Sequence, residues 1–303
     1  SQDGRWLASR RLKNGDVDVW DVTSGRLART FAGDNPYSYS LALSPDGKVL
    51  AAAQKGSVKL WETSTGREIR AVSADASDVA FSPDGRLLAV GTRDGVQLWD
   101  ASTYQPSRGS ALDMKDAGTG FPRSTVIAFS PDGRLLAAGS GSTVRIWEVG
   151  SGREVRTIRR VEPKPLPGHI VTIGGISSLS FSPDGRQVAA GGASREVRAW
   201  DVSTGRELRE YHVNAIDANV VGFSGDGRTL VTREVFLGKG IETYITVWDV
   251  TSGSKAERLP FRQVASHAAA LAPSTNRLAV VTERGLQVWD IQKGALVTTL
   301  AVK

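Results

Sequence analysis

The sequence repeats one unit of about 40 residues along most of its length, and this repetition limits the possible folds more than any other feature. Residues 79–100, VAFSPDGRLLAVGTRDGVQLWD, form the most regular copy. They predict three short strands joined by two tight turns, because Pro83, Asp84 and Gly85 suit the first turn and Asp94-Gly95 suits the second. A Trp followed by an acidic residue closes the third strand.

Seven tryptophans end such a strand, and each is followed by Asp or Glu: Trp20, Trp61, Trp99, Trp147, Trp200, Trp248 and Trp289. An SPDG-like turn precedes most of them, and a third turn of the STGR type follows several. Four short strands per repeat cannot bury their faces alone, whereas stacked copies can. The pattern therefore predicts an all-β protein in which four-stranded units stack on one another.

The Trp–acid strand ends and the SPDG turns resemble the WD-repeat family over essentially the whole chain. The resemblance implies a seven-bladed β-propeller of four-stranded antiparallel blades, with residues 1–303 as a single domain. Family members often carry a Gly-His whose His joins an Asp, a Ser or Thr and the Trp in a buried hydrogen-bonded network. Here only Gly168-His169 fits, so we expect few or no complete networks. The regularity of the repeated sequences, such as SPDGRLLA and WDVSTGRE, suggests a bacterial member of the family.

The sequence supplies 27 strands by count, one fewer than seven four-stranded blades require, because no inner strand precedes the first copy. A missing inner strand would leave a row of unpaired backbone groups along the central channel. We therefore expect that the chain is an excerpt of a longer polypeptide, or that something else supplies this strand.

The composition and the motifs argue against catalysis. The chain has no cysteine, which excludes disulfides, thiolate metal sites and a Cys nucleophile. None of the three histidines has a partner at the spacing that a zinc site needs, and no nucleophile elbow, P-loop or dinucleotide fingerprint occurs. We expect no enzyme, no cofactor and no metal. An active site at the channel mouth, with His169 and Glu162, stays open as an alternative.

Targeting cannot be read from the sequence. No apolar run is long enough for a membrane helix. A cysteine-free chain occurs inside and outside cells, so the composition fixes no compartment. We take a cytoplasmic location as the default expectation.

Function is expected where the repeat is interrupted. The SPDG and STGR turns should share one face, and the second turns and the connections between repeats should share the opposite face. Three long connections, 113–123, 161–175 and 233–244, belong to this second set and fall on consecutive repeats. They predict a rim of loops over one sector of that face, although neutral loop drift would give the same pattern.

The face of the second turns carries the candidate binding residues. They are aromatic, basic or imidazole side chains: Tyr37, Tyr39, Arg93, Phe121, Arg123, His169, Arg195, Phe236, Lys239 and Tyr244. Aromatic residues and Arg are the usual hot-spot residues of protein interfaces. The sequence therefore predicts a non-catalytic scaffold that binds a protein or peptide, or serves a fused effector domain.

The positive charge of the chain leaves a second binding hypothesis open. The formal net charge is +6. Cations of the second turns could form a ring at the channel mouth: Arg11, Lys13, Lys55, Arg93, Arg195, Lys239 and Arg284. Such a ring would bind nucleic acid or another polyanion in a salt-sensitive way. Much of the basic excess, however, occupies repeat positions at strand ends, and this favours a solvated scaffold over a nucleic-acid groove.

Overall fold

The structure is a computed structural model that describes residues 1, 3–11, 14–33, 40–54, 56–114, 124–160, 175–193, 196–213, 215–237, 241–259, 264–272, 275–282 and 285–300. Within these ranges the chain is all-β, with 27 strands in antiparallel sheets, as the sequence predicts. The described segments include no helix long and apolar enough to cross a membrane.

The first three sheets follow one another along the chain. The first contains three described strands, β1 (Trp6–Arg10), β2 (Val17–Asp21) and β3 (Arg26–Phe31). The second contains β4 (Ser40–Leu43), β5 (Val49–Gln54), β6 (Ser57–Glu62) and β7 (Glu68–Ser73). The third contains β8 (Ala76–Phe81), β9 (Leu87–Thr92), β10 (Gly95–Asp100) and β11 (Pro106–Asp113). The prediction that another segment supplies an inner strand to this first sheet stays a prediction.

The remaining strands continue the same order. The fourth sheet contains β12 (Val126–Phe129), β13 (Leu135–Ser140), β14 (Thr143–Glu148) and β15 (Glu154–Arg159). An eight-stranded sheet follows, with β16 (Ile176–Phe181), β17 (Gln187–Gly192), β18 (Glu196–Asp201), β19 (Glu207–His212), β20 (Asp217–Phe223), β21 (Thr229–Leu237), β22 (Ile241–Asp249) and β23 (Lys255–Leu259). The last sheet contains β24 (Val264–Ala272), β25 (Arg277–Thr282), β26 (Gly285–Asp290) and β27 (Ala295–Leu300).

The eight-stranded sheet consists of two four-stranded units that are linked by a single pair of residues in the strand pairing. A single residue pair, Gly192 opposite Ala218, joins β17 to β20. Glycine is required here, because a Cβ on Gly191 would overlap the carbonyl oxygen of Ala218. The sheet therefore repeats the same four-stranded unit as its neighbours.

The units pack face to face in chain order, and the last packs against the first. Trp20 and Val22 of the first unit share a buried cluster with Leu286 and Leu300 of the last. Burying side chains of this size contributes on the order of 1.5–3 kcal/mol each. Apolar packing between neighbouring units therefore joins the two ends of the described succession of sheets.

Each SPDG turn is closed by its own serine. Ser82 Oγ donates to Asp84 Oδ1 at 2.6 Å and accepts the backbone N–H of Leu87 at 2.9 Å. The same side-chain bond recurs at Ser44, Ser130, Ser182 and Ser224. Gly85 has φ +72°, the left-handed conformation that the turn needs. The local sequence is thus sufficient to form the turn.

The acid after each Trp has a similar local role. Asp201 Oδ1 accepts hydrogen bonds from the hydroxyl and backbone N–H groups of the third turn, including Ser203 Oγ at 2.7 Å and Thr204 N at 2.7 Å. These bonds hold the pKa of Asp201 at about 2, and equivalent bonds from Ser102 and Thr103 do the same for Asp100. These aspartates therefore cap the third turns.

The Trp recurs at the same position of each repeat, but its hydrogen bond differs from one repeat to another. Trp20 Nε1 donates to Ser9 Oγ at 2.9 Å, and Trp248 Nε1 donates to Thr232 Oγ1 at 2.8 Å. Trp99 Nε1, in contrast, is buried without a hydrogen-bond partner among the described residues. The expectation of few complete networks stays a prediction, because His169 lies outside the described residues.

Candidate interaction surface

Backbone hydrogen bonds separate two sets of connections. On one side, a third turn is bonded to the residue after an SPDG turn, as in Val149 N to Arg134 O at 2.8 Å. On the other side, connections between repeats are bonded to second turns, as in Met114 N to Asp94 O at 2.9 Å and Arg160 N to Ser142 O at 2.8 Å. The predicted division of the connections is therefore present. We call the side with Asp94 and Ser142 the second-turn face.

A long β-hairpin projects on the second-turn face. β21 and β22 have nine residues each, whereas β13 and β14 have six. The pairing continues from Glu234 opposite Tyr244 to Leu237 opposite Ile241. Three more residues per strand extend the hairpin by about 10 Å. The prediction of a loop is therefore wrong for 233–237 and 241–244, where the two strands continue to pair, and residues 238–240 lie outside the described residues.

The projecting part of the hairpin carries an aromatic pair. The rings of Phe236 and Tyr244 meet edge to face, with centroids 5.4 Å apart and planes at 82°. Tyr244 Oη donates to Glu242 Oε2 at 2.8 Å, and both aromatic side chains stay partly exposed. Ile216, whose N–H is bonded to Val235 O at 2.8 Å, is 44% exposed beside them. These residues form what we call the hairpin patch: Ile216, Phe236, Glu242 and Tyr244.

A polar network holds the base of the hairpin. Arg233 Nη2 lies 3.2 Å from Asp217 Oδ2, and Asn219 Nδ2 donates to the same oxygen at 2.7 Å. Ser177, in the preceding unit, donates to Asn219 Oδ1. Burial lowers the pKa of the Arg233 guanidinium, and Asp217 opposes that shift. The network therefore connects the hairpin to the neighbouring unit and limits its movement.

Arg93 lies in the second turn between β9 and β10, where it is exposed. Thr92 Oγ1 donates to Gly95 O at 3.0 Å and closes this turn. Arg93, Phe236 and Tyr244 are thus the predicted site residues that the structure describes. The other candidates lie outside the described residues: Tyr37, Tyr39, Phe121, Arg123, His169, Arg195 and Lys239.

The predicted cation ring is described at two of its positions, Arg11 and Arg93. Arg11 Nε donates to Asp18 Oδ2 at 2.7 Å, and Asp18 is only 1% exposed. The hydrogen bond and charge of Asp18 raise the pKa of the Arg11 guanidinium. Arg11 is therefore neutralised by a buried carboxylate, which leaves Arg93 as the exposed ring position within the described part.

A second polar cluster lies on β18 and β19. Donor atoms of Glu196, Glu210 and His212 lie within 4.8 Å of one another, which is a possible metal geometry. Arg198 already occupies this cluster, with Nη2 2.7 Å from Glu196 Oε2 and 3.4 Å from Glu210 Oε2. Burial and the Glu196 charge raise the pKa of Glu210, although Arg198 opposes the shift. The arrangement favours an ion-pair network over a metal site.

Sequence reasoning missed several of these residues for identifiable reasons. Ile216 is an apolar residue in a short connection, and its proximity to Phe236 depends on how β20 pairs with β21. Glu196 and His212 are opposite each other across β18 and β19, so their spacing along the chain carries no signal. The sequence of β21, TLVTREVFL, shows no period-two alternation, so the extension of the hairpin carries no local strand signal.

Comparison with known proteins identifies the repeat type. A family model described as outer membrane protein assembly factor BamB, a β-propeller repeat family, matches residues 40–211, which is more than half of the chain. Centriole proteome protein 16 of Chlamydomonas reinhardtii is 30% identical over 128 residues, 40% of this chain and 6% of that protein. Methylosome protein WDR77 of Xenopus laevis is 29% identical over 86 residues, 28% of this chain and 24% of that protein. The matches thus span less than a quarter of either relative's length.

Proposed function

This chain belongs to the β-propeller repeat family described as outer membrane protein assembly factor BamB, and we propose that it is a non-catalytic scaffold that binds a protein or peptide. The proposal places the binding site on the second-turn face, around the hairpin patch. The observation that carries it is the projecting hairpin with its partly exposed Phe236–Tyr244 pair.

The physical properties of the hairpin patch support this choice. Tyr and other aromatic side chains bury a large area at low entropic cost, and they dominate interface energies. The network of Arg233, Asp217 and Asn219 holds the hairpin, so binding orders few additional groups. The repeat that contains β21 and β22 differs from its neighbours in strand length, and binding sites commonly occur where a regular scaffold is interrupted.

We further propose a seven-bladed propeller of the WD-repeat type. Seven Trp–acid strand ends support the number of blades. The six sheets, one of which holds two four-stranded units, support it as well. The similarity to methylosome protein WDR77 supports the WD-repeat type. A bacterial origin stays a prediction from the wording of the repeats.

The other hypotheses gain less support. The enzyme hypothesis depends on Glu162 and His169, which lie outside the described residues. The polyanion hypothesis depends on a ring in which Arg11 is already paired with Asp18. Charge reversal of Arg93 with measurement of heparin retention tests the polyanion hypothesis, since unchanged retention contradicts it.

The proposed function predicts that aromatic truncation removes a partner. The wild-type protein and its Phe236→Ala/Tyr244→Ala variant are each immobilised, and the proteins that they capture from a cell extract are quantified. The affinity of both for each captured protein is then measured. We expect at least about a 30-fold loss of affinity, the equivalent of about 2 kcal/mol for hot-spot residues.

A double variant on the opposite face provides the control. Arg86→Ala/Arg134→Ala truncates two side chains that are each 86% exposed beside SPDG turns. This control should retain the partner at wild-type affinity. Equal binding by all three proteins, with unchanged thermal unfolding, contradicts the assignment of binding to the hairpin patch.

A further inference from the structure

One face of the extended hairpin is acidic, although the chain as a whole is basic. β21 and β22 pair without a bulge from Thr229 opposite Asp249 to Leu237 opposite Ile241. Alternate residues from 230 to 236 and from 242 to 248 therefore share one face of the strand pair. Within these two described strands, that face has no Lys, Arg or His, and its charged residues are Glu234 and Glu242. The net charge of the chain, in contrast, is +6.

Glu242 places a carboxylate beside the aromatic pair. Glu234 is buried, whereas Glu242 is exposed and lies directly opposite Phe236 across the two strands. Tyr244 follows on the same face, and its Oη donates to Glu242 Oε2 at 2.8 Å. Among the described residues this is the one hydrogen bond that the carboxylate accepts, and no cation pairs with it.

Arg233 is the basic residue of the two strands, and it does not neutralise Glu242. Its position in the strand alternation places its side chain on the opposite face. The guanidinium is buried, and Nη2 lies 3.2 Å from Asp217 Oδ2. A counter-ion for Glu242 must therefore come from elsewhere than β21 and β22.

The bond between Tyr244 and Glu242 restricts what can cover the aromatic pair. A partner that buries the Tyr244 ring also removes water from a carboxylate held 2.8 Å from the Tyr244 hydroxyl. Removing water from an unpaired carboxylate is costly, and a hydrogen-bonded cation offsets that cost. An anionic or purely apolar segment offers no such offset.

We propose, on the basis of the proposed function, that the partner binds the hairpin patch through an arginine side chain. A guanidinium stacks on an aromatic ring through its plane and donates two parallel hydrogen bonds to a carboxylate through its edge. Phe236 and Tyr244 supply the rings, and Glu242 supplies the carboxylate. Ile216, which is 44% exposed, offers an apolar contact to the neighbouring partner residue. The partner segment is thus an arginine next to an apolar residue.

The positive net charge of the chain does not prevent this contact. At physiological ionic strength, exposed charges further apart than about 8 Å are largely screened from each other. A guanidinium that pairs with Glu242 lies much closer than that distance. The net charge of +6 therefore slows the approach of a basic segment more than it weakens the bound pair.

Short peptides test the arginine inference directly. Acetyl-Leu-Arg-Leu-amide and the same peptide with citrulline in place of arginine have the same shape, but citrulline is uncharged. In NMR titrations the wild type should bind the arginine peptide at least about tenfold more tightly than the citrulline peptide. Glu242→Gln should bind the two peptides equally. Glu68→Gln, which removes an exposed carboxylate of β7, is the matched control and should discriminate as the wild type does.

Two peptide results would overturn the inference. One is undetectable binding of the arginine peptide at millimolar concentration. The other is equal discrimination by the wild type and by Glu242→Gln, with thermal unfolding showing that both are folded.

The captured partner separates this inference from the proposed function. A partner that Phe236→Ala/Tyr244→Ala loses and that Glu242→Gln binds at wild-type affinity overturns the arginine assignment alone. A partner that every variant binds at wild-type affinity contradicts the proposed function, and the arginine assignment falls with it. Loss of the partner by both variants, with retention by Glu68→Gln, is the expected result.

Discussion

Asp78 occupies a position where a neighbouring repeat uses serine. Its carboxylate accepts the N–H of Ile127 at 2.8 Å and the N–H of Val79 at 2.9 Å. Ser40 also bonds to it, so the carboxylate lies between strands of three consecutive units. Burial raises the pKa of Asp78 to about 6, and the hydrogen bonds only partly offset this shift. The carboxylate of Asp78 is therefore poorly hydrated and depends on protein hydrogen-bond donors when it is ionised.

The raised pKa determines the direction of a pH effect on stability. The folded protein keeps the Asp78 proton at pH values where the unfolded chain has lost it. The stabilisation is present below the ordinary pKa of 3.8 and is lost as the pH rises through about 6. We predict that Asp78→Ser removes this change. The full shift corresponds to about 3 kcal/mol, an upper bound because part of the residue remains exposed.

Ser178 supplies the matched control for Asp78→Ser. It is the third residue of β16, as Asp78 is of β8, and its Oγ accepts Val220 N at 2.8 Å. Ser178→Asp should introduce the pH dependence that Asp78→Ser removes. Chemical unfolding at a series of pH values measures both effects. A wild-type pH profile in Asp78→Ser contradicts this account of Asp78.

At the scale of the element, the Trp99 indole N–H has no hydrogen-bond partner among the described residues, whereas two other units provide one for their Trp. In the first unit Leu7 is paired with Trp20, and the hydrogen-bond acceptor Ser9 lies two residues after Leu7. Thr232 has the same position relative to Leu230, which is paired with Trp248. In β9 the residue paired with Trp99 is Leu88, so the equivalent position is Val90. A buried donor without a partner costs about 1–3 kcal/mol. Threonine at position 90 has the shape of valine and offers an acceptor to Trp99 Nε1.

We predict that Val90→Thr is less destabilising than the same change at Val280. Val280 has the equivalent place in β25, but Trp289 Nε1 already donates to Gln287 Oε1 at 3.2 Å. The buried hydroxyl of threonine at position 280 would therefore receive no hydrogen bond from Trp289 Nε1. The difference in the free energy of unfolding should be at least about 1 kcal/mol in favour of Val90→Thr. Equal losses in chemical unfolding contradict the proposed Trp99 partner.

The elements differ in how well local sequence predicts them. The SPDG turn is predictable because Ser82, Asp84 and Gly85 complete it with their own side chains and backbone. The extended hairpin is not, because the length of β21 depends on its pairing with Ile216 and Asp217 in the preceding connection. A long interruption of the repeat was visible in the sequence, but its strand pairing was not.

At the scale of the whole molecule, the repeat predicts the architecture and leaves the surface undetermined. Turn positions and apolar alternation specify a stack of four-stranded units, and the last unit packs on the first through Trp20 and Leu300. The surface properties follow from departures from the repeat: the lengthened hairpin with its acidic face and Asp at position 78. Each departure is recognised only when the residue is compared with the equivalent residue of another unit.

The central claim is that a partner binds the second-turn face at the hairpin patch. Hydrogen–deuterium exchange of the free protein and of its complex with a captured partner tests this claim most directly. We predict slower exchange at the amides of 235–243, with no change at the SPDG turns. Slower exchange confined to the SPDG turns or to β27 would contradict the claim.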